Sequence, residues 1–207
     1  MKLKDHNGLT KKIALSLLFT AATTALGREQ TIPDSLSPDK RYQLTVEESE
    51  ARISYHITDA ATGRHLLSIP SSYQPDRDSG EFAWRQSLEP TIHWRKDSQC
   101  VAIDEQNHRG IGTVLVARRT GKTFRQVPIY GKALMRASKL PWVRGRLFFG
   151  AWSKRDTITV GIIGLVWADP DSTPPEKRHR KEFGCGFTIA LADGDVVSID
   201  PDTAESK

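Results

Sequence analysis

The chain has 207 residues, a formal net charge of +5 and 38% hydrophobic residues, which suffices for one domain with a sizeable core. Four of its 30 basic residues and one of its 25 acidic residues lie within the first 27 positions, so the remaining chain carries only about +2. The basic balance therefore does not indicate nucleic-acid binding. No Gly-x-Ser-x-Gly elbow, phosphate loop, His-Glu-x-x-His or Cys-x-x-Cys is present, which excludes the compact catalytic signatures and indicates no cofactor.

Residues 1–27 have the pattern of a secretory signal peptide. Lys2, Lys4, Lys11 and Lys12 form a positive start, residues 13–27 carry no charge, and small residues cluster before a cleavage point after Ala25 or Gly27. The uncharged run is shorter than the roughly 20 apolar residues that a membrane-spanning helix needs. The pattern predicts export to the periplasm or the medium with no transmembrane span in the mature chain; an uncleaved membrane anchor is the alternative.

Residues 28–207 are predicted to form a single all-β domain of three units, at residues 37–89, 90–145 and 146–199. Residues 28–36 are predicted to be a docking arm or a tail. The first unit contains SPDKRYQLTV at residues 37–46 and ISYHITDAATG at residues 53–63. Short runs rich in Val, Ile and Thr, separated by Gly, Asn and Asp, are typical of strands and hairpins.

The middle unit shows this punctuation most clearly. Its apolar or β-branched runs are residues 90–94, 99–105, 112–117 and 123–129. Polar residues 95–98, the turn at 107–110 and Thr-Gly-Lys at 120–122 separate them. Four strands in succession with short connections predict one antiparallel sheet. A short helix is predicted at residues 131–139, because Ala, Leu, Met and Lys favour it.

The spacing of several residues indicates an internal repeat. Trp84 and Trp142, Trp94 and Trp152, and the turn glycines Gly63 and Gly121 are each separated by 58 positions. A third copy runs from WSKRDTITVGII to FTIALADGDVVSI, and its turn glycine Gly194 follows Gly121 by 73 positions. This copy carries an insertion at residues 168–182, whose Pro-rich and charged sequence predicts an exposed, mobile loop.

These motifs resemble those of a known class of repeat. SPDKRYQLTV and WRKDSQCVAI resemble the turn and strand of WD-repeat-like β-propeller blades, and DAATG resembles the turn between the last two strands of such a blade. The resemblance implies an all-β fold of three repeated antiparallel sheet units, propeller-like and incomplete. The 58-residue period exceeds the usual blade length, and three units are fewer than a closed propeller contains.

Two features suggest specific contacts. Cys100 and Cys185 are the only cysteines, and in an exported chain they could form a disulfide if their sheets are neighbours; two buried, unpaired thiols are the alternative. The cluster Lys177, Arg178, His179, Arg180 and Lys181 lies inside the insertion and is a candidate contact for an anionic surface or an acidic protein partner. A solvated loop is the alternative.

The remaining polar residues fit structural roles better than chemical ones. His56, His65, His93 and His108 would bind a metal only if they lined one channel, and none recurs at the equivalent repeat position. Aspartates two apart, as at 193 and 195, suit turns as well as calcium. The acidic pairs at 47–48 and 104–105 are expected at solvated strand ends. We therefore predict no metal site and no catalytic residue.

The resemblance implies a binding or scaffolding module that acts outside the cytoplasm without catalysis. Because blade-like sheets need neighbours, two chains could pair as a homodimer. The competing hypothesis is a hydrolase of envelope or extracellular glycans, which would need two carboxylates beside a Trp in one pocket. A third is a remnant of a larger propeller protein, which would expose an apolar edge.

Overall fold

The chain folds into three four-stranded antiparallel sheets, as seen in a computed structural model that describes residues 28–48, 52–72, 90–106, 112–153, 156–169, 173–174 and 177–200. The first sheet contains β1 (Arg28–Leu36), β2 (Tyr42–Glu48), β3 (Ile53–Asp59) and β4 (His65–Pro70). The second contains β5 (Thr91–Trp94), β6 (Cys100–Gln106), β7 (Gly112–Thr120) and β8 (Thr123–Val127). Helix α1 (Gly131–Ala137) leads to the third, with β9 (Trp142–Trp152), β10 (Thr157–Trp167), β11 (Arg180–Ala190) and β12 (Val196–Asp200).

In each sheet the strands lie side by side in chain order, and the three sheets do not close into a ring. This confirms the predicted all-β fold of three repeated antiparallel, propeller-like sheet units. All four strands predicted for the middle unit are present at the expected places. The predicted leader, residues 1–27, lies outside the described residues. Among the residues described, no helix is long and apolar enough to cross a membrane.

The backbone repeats with the sequence. The turn between the first two strands of each sheet contains a residue with positive φ, namely Lys40 at 60°, Ser98 at 57° and Asp156 at 58°. These three positions are spaced by 58 residues each. The turn between the last two strands uses Gly63, Gly121 and Gly194, with φ of 68°, 62° and 87°. A left-handed conformation favours glycine, so the Thr-Gly motifs mark the turns that require it.

The second sheet lies between the other two and is covered on both faces. Successive side chains of a strand point to opposite faces. Along β6, Cys100 and Ala102 point into a core shared with the third sheet, where Val160 and Phe187 are buried. Val101 and Ile103 point into a core shared with the first sheet, the members of which include Leu44, Tyr55, Ile57 and Ile69. This double burial explains why β6 reads as a continuous apolar run.

Polar contacts join the first and second sheets at their repeated turns and at their strand ends. The Asp39 N–H donates to the buried Ser98 hydroxyl at 3.1 Å. The Ser71 hydroxyl donates to Glu105 Oε1 at 2.5 Å, and the Ser72 N–H donates to Glu105 Oε2 at 3.1 Å. Glu105 has no exposed surface, so these donors offset part of the cost of burying its carboxyl.

The second and third sheets are joined by an ion-pair network. Asp156 accepts from Arg95 at 3.0 Å and from Arg118 at 2.5 Å, and Arg95 also pairs with Asp97 at 2.8 Å. Arg95, Asp97 and Arg118 all belong to the second sheet or to its first turn, whereas Asp156 belongs to the third sheet. Asp156 occupies the positive-φ position of the third sheet, so one turn residue both reverses the chain and ties two sheets together.

Three expectations require correction. Residues 28–36 are not a tail, because Arg28–Leu36 pairs with β2 as the first strand of the first sheet. The insertion at 168–182 is not a loop throughout, since β11 begins at Arg180, which pairs with Trp167. The third unit begins before residue 146, because β9 starts at Trp142. In the first two cases, pairing with a neighbouring strand orders residues whose local sequence is polar.

The predicted Cys100–Cys185 disulfide is not formed, and both cysteines are buried. Cys100 lies at the start of β6, beside Arg95 and Asp156. The Leu191 N–H bonds to Asp156 O, so Leu191 lies beside Asp156. Cys185 comes six positions before Leu191, and six strand residues span roughly 20 Å. Cys185 is therefore far along the strand from Asp156. The cysteines therefore share a core cluster but lie at different heights along it.

Glu105 should make stability depend on pH. Burial raises its pKa above the ordinary value of 4.5, against the lowering effect of the Ser71 hydrogen bond. The folded chain then holds a proton that the unfolded chain has released, so the free energy of unfolding falls as pH rises from about 4.5 through the folded pKa. Glu105→Gln removes this titration.

Urea denaturation of the wild type and of Glu105→Gln across this pH range measures the effect. We expect the wild type to lose stability relative to the variant as pH rises. Glu182→Gln, on an exposed position of β11, is the matched control and should follow the wild type. A difference between wild type and Glu105→Gln that stays constant with pH would contradict the assignment.

Candidate functional site

The strands of the third sheet are longer than those of the sheet that covers it. β9, β10 and β11 each have 11 residues, whereas β6 has seven. At about 3.3 Å per residue these lengths are roughly 36 Å and 23 Å. One end of the third sheet, where β9 begins, β10 ends and β11 begins, therefore extends past the second sheet. We call this end of the sheet, together with α1, the basic end.

Helix α1 packs against the third sheet near this end. Leu134 is its buried residue, and Met135 packs at the margin of the same core. Lys132 and Arg136 are four positions apart and so lie on one face of the helix. Lys139, with φ of 57°, reverses the chain toward β9. The helix thus buries one side and presents cations on another.

Ser138 fixes the aromatic residue that begins β9. Its hydroxyl accepts from Trp142 Nε1 at 2.8 Å and donates to the Met135 carbonyl at 2.7 Å. Trp142 also meets Phe183 edge-on, with ring centroids 6.3 Å apart. The helix and the start of β9 together line a groove of about 610 Å³. Its cations are Lys132, Arg136 and Lys139. Its apolar lining includes Leu140, Pro141 and Trp142.

The predicted basic cluster lies beside this groove. Trp167 ends β10; its N–H bonds to Pro141 O, and it pairs with Arg180 across the sheet. Arg178 and Arg180 place their guanidinium carbons 5.9 Å and 5.0 Å from the Trp167 ring centroid, within the range of cation–π attraction. Lys177 and Lys181 flank them in sequence.

His179 differs from its neighbours because it has an acidic partner. Its ring Nδ1 lies 3.2 Å from Asp169 Oδ2, and its backbone N–H donates to the same oxygen. This N–H bond is the largest cause that holds the pKa of Asp169 below its ordinary value. In the described part of the chain no carboxylate pairs with Lys132, Arg136, Lys139 or Arg180, so the basic end keeps most of its positive charge.

A second candidate lies at the edge of the third sheet, where residues of β9 and β10 and residues of β5 and β6 of the second sheet line one cavity that reaches the outer face of the third sheet. This inter-sheet cavity has a volume of about 330 Å³. Its polar wall contains His93, Asp104, Gln106 and Arg146, and Phe148 and Ile163 supply apolar surface. Asp104 is 5% exposed, and its Oδ2 accepts from the Phe149 N–H at 3.0 Å.

The expectation that Asp104 and Glu105 lie at a solvated strand end is wrong, because both are buried between sheets, and they do not form a catalytic pair. Asp104 faces the third sheet and Glu105 faces the first, because neighbouring strand residues point to opposite faces. Glu47 instead contacts His56 Nε2 at 2.9 Å on the first sheet. Within the described residues the inter-sheet cavity thus holds one carboxylate, Asp104, and no Trp.

Of the three described histidines in the predicted set, two adjoin and the third lies apart from them. His56 and His65 are 3.4 Å apart on the first sheet, while His93 stacks on Phe149 between the second and third sheets, with ring centroids 4.1 Å apart. His108 and Trp84 lie outside the described residues. Asp193 accepts from the Asp195 N–H at 3.0 Å, a turn contact. The described residues contain no group of three or more potential metal ligands.

Sequence reasoning missed Trp167, the cations of α1, and Arg146. Trp167 has no counterpart at the 58-residue spacing, so the search for repeats passed over it. A usable signal was present for the helix, because Lys132 and Arg136 are four apart in a segment already predicted to be helical. Arg146 gave no signal, since its role depends on a strand of another sheet.

Comparison of the chain with protein-family models, with curated proteins and with solved structures finds no match in any of the three. The candidate sites therefore stand on their own geometry.

The two buried thiols should be unreactive in the folded protein. Burial raises the pKa of Cys100 to about 11. At pH 8 the thiolate fraction is then about 0.1%, against about a quarter in an unfolded chain, so maleimide labelling should slow by about two orders of magnitude.

Mass spectrometry after labelling, without reductant, measures this. We expect no label on the folded protein and two labels in urea. Two labels within minutes on the folded protein would show exposed thiols, and none in urea would show that the cysteines are bonded after all.

Proposed function

We propose that the protein is an exported, non-catalytic binding module that contacts an anionic surface through its basic end. The observation that carries the proposal is the groove of about 610 Å³ in which three cations face an apolar wall ending at Trp142. The partner we favour is a layer of anionic lipid headgroups, because Trp beside Lys and Arg suits the boundary between apolar and charged material.

Two further observations support this. Arg178 and Arg180 adjoin the groove through Trp167, so the cations of the insertion and of α1 form one surface. Lys132, Arg136, Lys139 and Arg180 pair with no carboxylate among the described residues, which leaves their charge available to a ligand. Export itself rests on the leader pattern of residues 1–27.

The competing hydrolase hypothesis finds less support. It needs two carboxylates beside a Trp, whereas the inter-sheet cavity holds only Asp104 among the described residues.

We also propose that the three sheets are blades of the WD-repeat-like type, which commonly serve as binding platforms. The support is the repeated turn at Ser37 and Asp39, where the Ser37 hydroxyl donates to Asp39 Oδ1 at 2.7 Å and accepts from the Tyr42 N–H at 3.0 Å.

Sedimentation with vesicles tests the main proposal. We expect residues 28–207 to bind vesicles that contain phosphatidylglycerol, to ignore vesicles of phosphatidylcholine alone, and to lose binding as salt rises. Each cation near an anionic membrane contributes about 1 kcal/mol to the free energy of binding. Lys132→Gln combined with Arg136→Gln should therefore lower the affinity for these vesicles by about 30-fold.

The control is Arg64→Gln combined with Lys122→Gln, which removes the same charge from exposed turns of the first and second sheets. It should bind as the wild type does. Equal losses in both variants would indicate a net-charge effect and overturn the proposed site. Binding to a sulfated polysaccharide but not to anionic vesicles would replace the lipid surface by an acidic glycan.

We further propose that two chains pair so that the third sheet of each covers the first sheet of the other. The outer face of the third sheet contains Phe148 against Gly161, and Ile163 is 47% exposed there. The outer face of the first sheet is polar and contains the partly exposed Glu47, which complements the exposed Arg144 of the third. Six sheets lie within the four to eight that close a propeller.

Light scattering on residues 28–207 in non-reducing buffer measures the pairing. We expect a dimer, and Ile163→Lys should shift it to a monomer because a charge would be buried in the interface. Tyr130→Lys, at an exposed aromatic residue outside the sheets, should leave the dimer intact. A monodisperse wild-type monomer would overturn the pairing while leaving the vesicle experiment unaffected.

A further inference from the structure

The inter-sheet cavity is lined by one charged residue of each sign, and the two come from different sheets. Asp104 comes from β6 of the second sheet and Arg146 from β9 of the third. Thr91 and Asp104 are directly paired across β5 and β6, so their side chains share the face that looks toward the third sheet. Gly112 lets the two sheets approach here: a Cβ at this position would lie 2.6 Å from Leu147 O.

Asp104 is buried, yet its carboxylate is only partly satisfied. Oδ2 accepts the Phe149 N–H at 3.0 Å, whereas Oδ1 has only the Gln106 amide, at 3.4 Å. In the described chain neither Asp104 nor Arg146 takes part in a salt bridge. A buried carboxylate without a cation is costly, so this wall of the cavity favours a positively charged ligand group.

His93 does not supply that positive charge. Its ring stacks on Phe149, with centroids 4.1 Å apart and an angle of 14° between the planes. Burial lowers the pKa of His93, and the opposing effect of Asp104 is smaller, so the imidazole is neutral at pH 7. The cavity therefore presents one carboxylate, one guanidinium and neutral donors and acceptors. Such a set is complementary to a ligand that carries both charges.

We propose that the inter-sheet cavity binds a zwitterion of the size of a free amino acid with an apolar side chain. The ammonium group contacts Asp104, whose Oδ1 accepts only the 3.4 Å bond from the Gln106 amide among the described residues. The carboxylate contacts Arg146, whose planar guanidinium suits two parallel hydrogen bonds. The side chain lies against Phe148 and Ile163, and a cavity of about 330 Å³ accommodates a ligand of this size. This site does not depend on the basic end or on its lipid surface.

The experiment uses L-leucine and two analogues that each lack one charge. Leucinamide keeps the ammonium group and lacks the carboxylate; isocaproate keeps the carboxylate and lacks the ammonium group. Titration calorimetry gives the affinities, and the NMR signals of the Gln106 side-chain amide and the Phe149 N–H locate the ligand. We expect L-leucine to bind with a Kd below about 1 mM and to shift both signals, and each analogue to bind at least about tenfold more weakly.

The variants separate the two charges. Asp104→Asn can still accept the Phe149 N–H, so it should retain the fold while losing at least about tenfold in affinity for L-leucine and almost none for isocaproate. Arg146→Gln should show the reverse pattern, with leucinamide unaffected. Arg144→Gln, two positions earlier on the same strand and outside the cavity, is the matched control and should bind L-leucine as the wild type does.

Three results would overturn the proposal. The first is the absence of any shift at Gln106 and Phe149 with L-leucine. The second is equal affinity for L-leucine and for glucose, which would indicate a neutral sugar site. The third is an equal loss for all three ligands in Asp104→Asn with an unchanged melting temperature, because a charge-specific contact would spare isocaproate.

Discussion

Side chains of β6 point alternately into two hydrophobic cores, and the stacking of all three sheets depends on this alternation. Cys100 and Ala102 meet the third sheet, while Val101 and Ile103 meet the first. Burying one such aliphatic side chain contributes about 1.5–3 kcal/mol, and a slip of one residue in register would exchange the two faces. The second sheet thus fixes where the outer sheets lie, although they are far apart in sequence.

Double burial also decides which polar residues need partners. Ser98 and Glu105 point toward the first sheet and are met by groups of that sheet, the Asp39 N–H and the Ser71 hydroxyl. Arg95 and Asp156 complete each other between the second and third sheets. Asp104 is the contrast. It is equally buried, but its Oδ1 meets only a long contact with Gln106, which is why we look to this position for a ligand.

The basic end arises from a difference in strand length. Because the strands of the third sheet continue past the second sheet, their far ends are covered on one side by α1 instead of by another sheet. There the aromatic residues Trp142 and Trp167 keep some accessible surface, and cations from the helix and from the start of β11 gather around them. The proposed partner surface is therefore a consequence of uneven lengths among repeated units.

Most strands and turns follow from the sequence alone, including the four strands at residues 90–129 and the 58-residue spacing of the positive-φ turn residues. These features depend on the conformational preferences of adjacent residues. Contacts in the folded chain set the pairing of Arg28–Leu36, the separation of the two cysteines, the opposite orientation of Asp104 and Glu105, and the presence of Asp104 and Arg146 in one cavity. Each of these depends on contacts between residues distant along the chain, for which local preference carries no information.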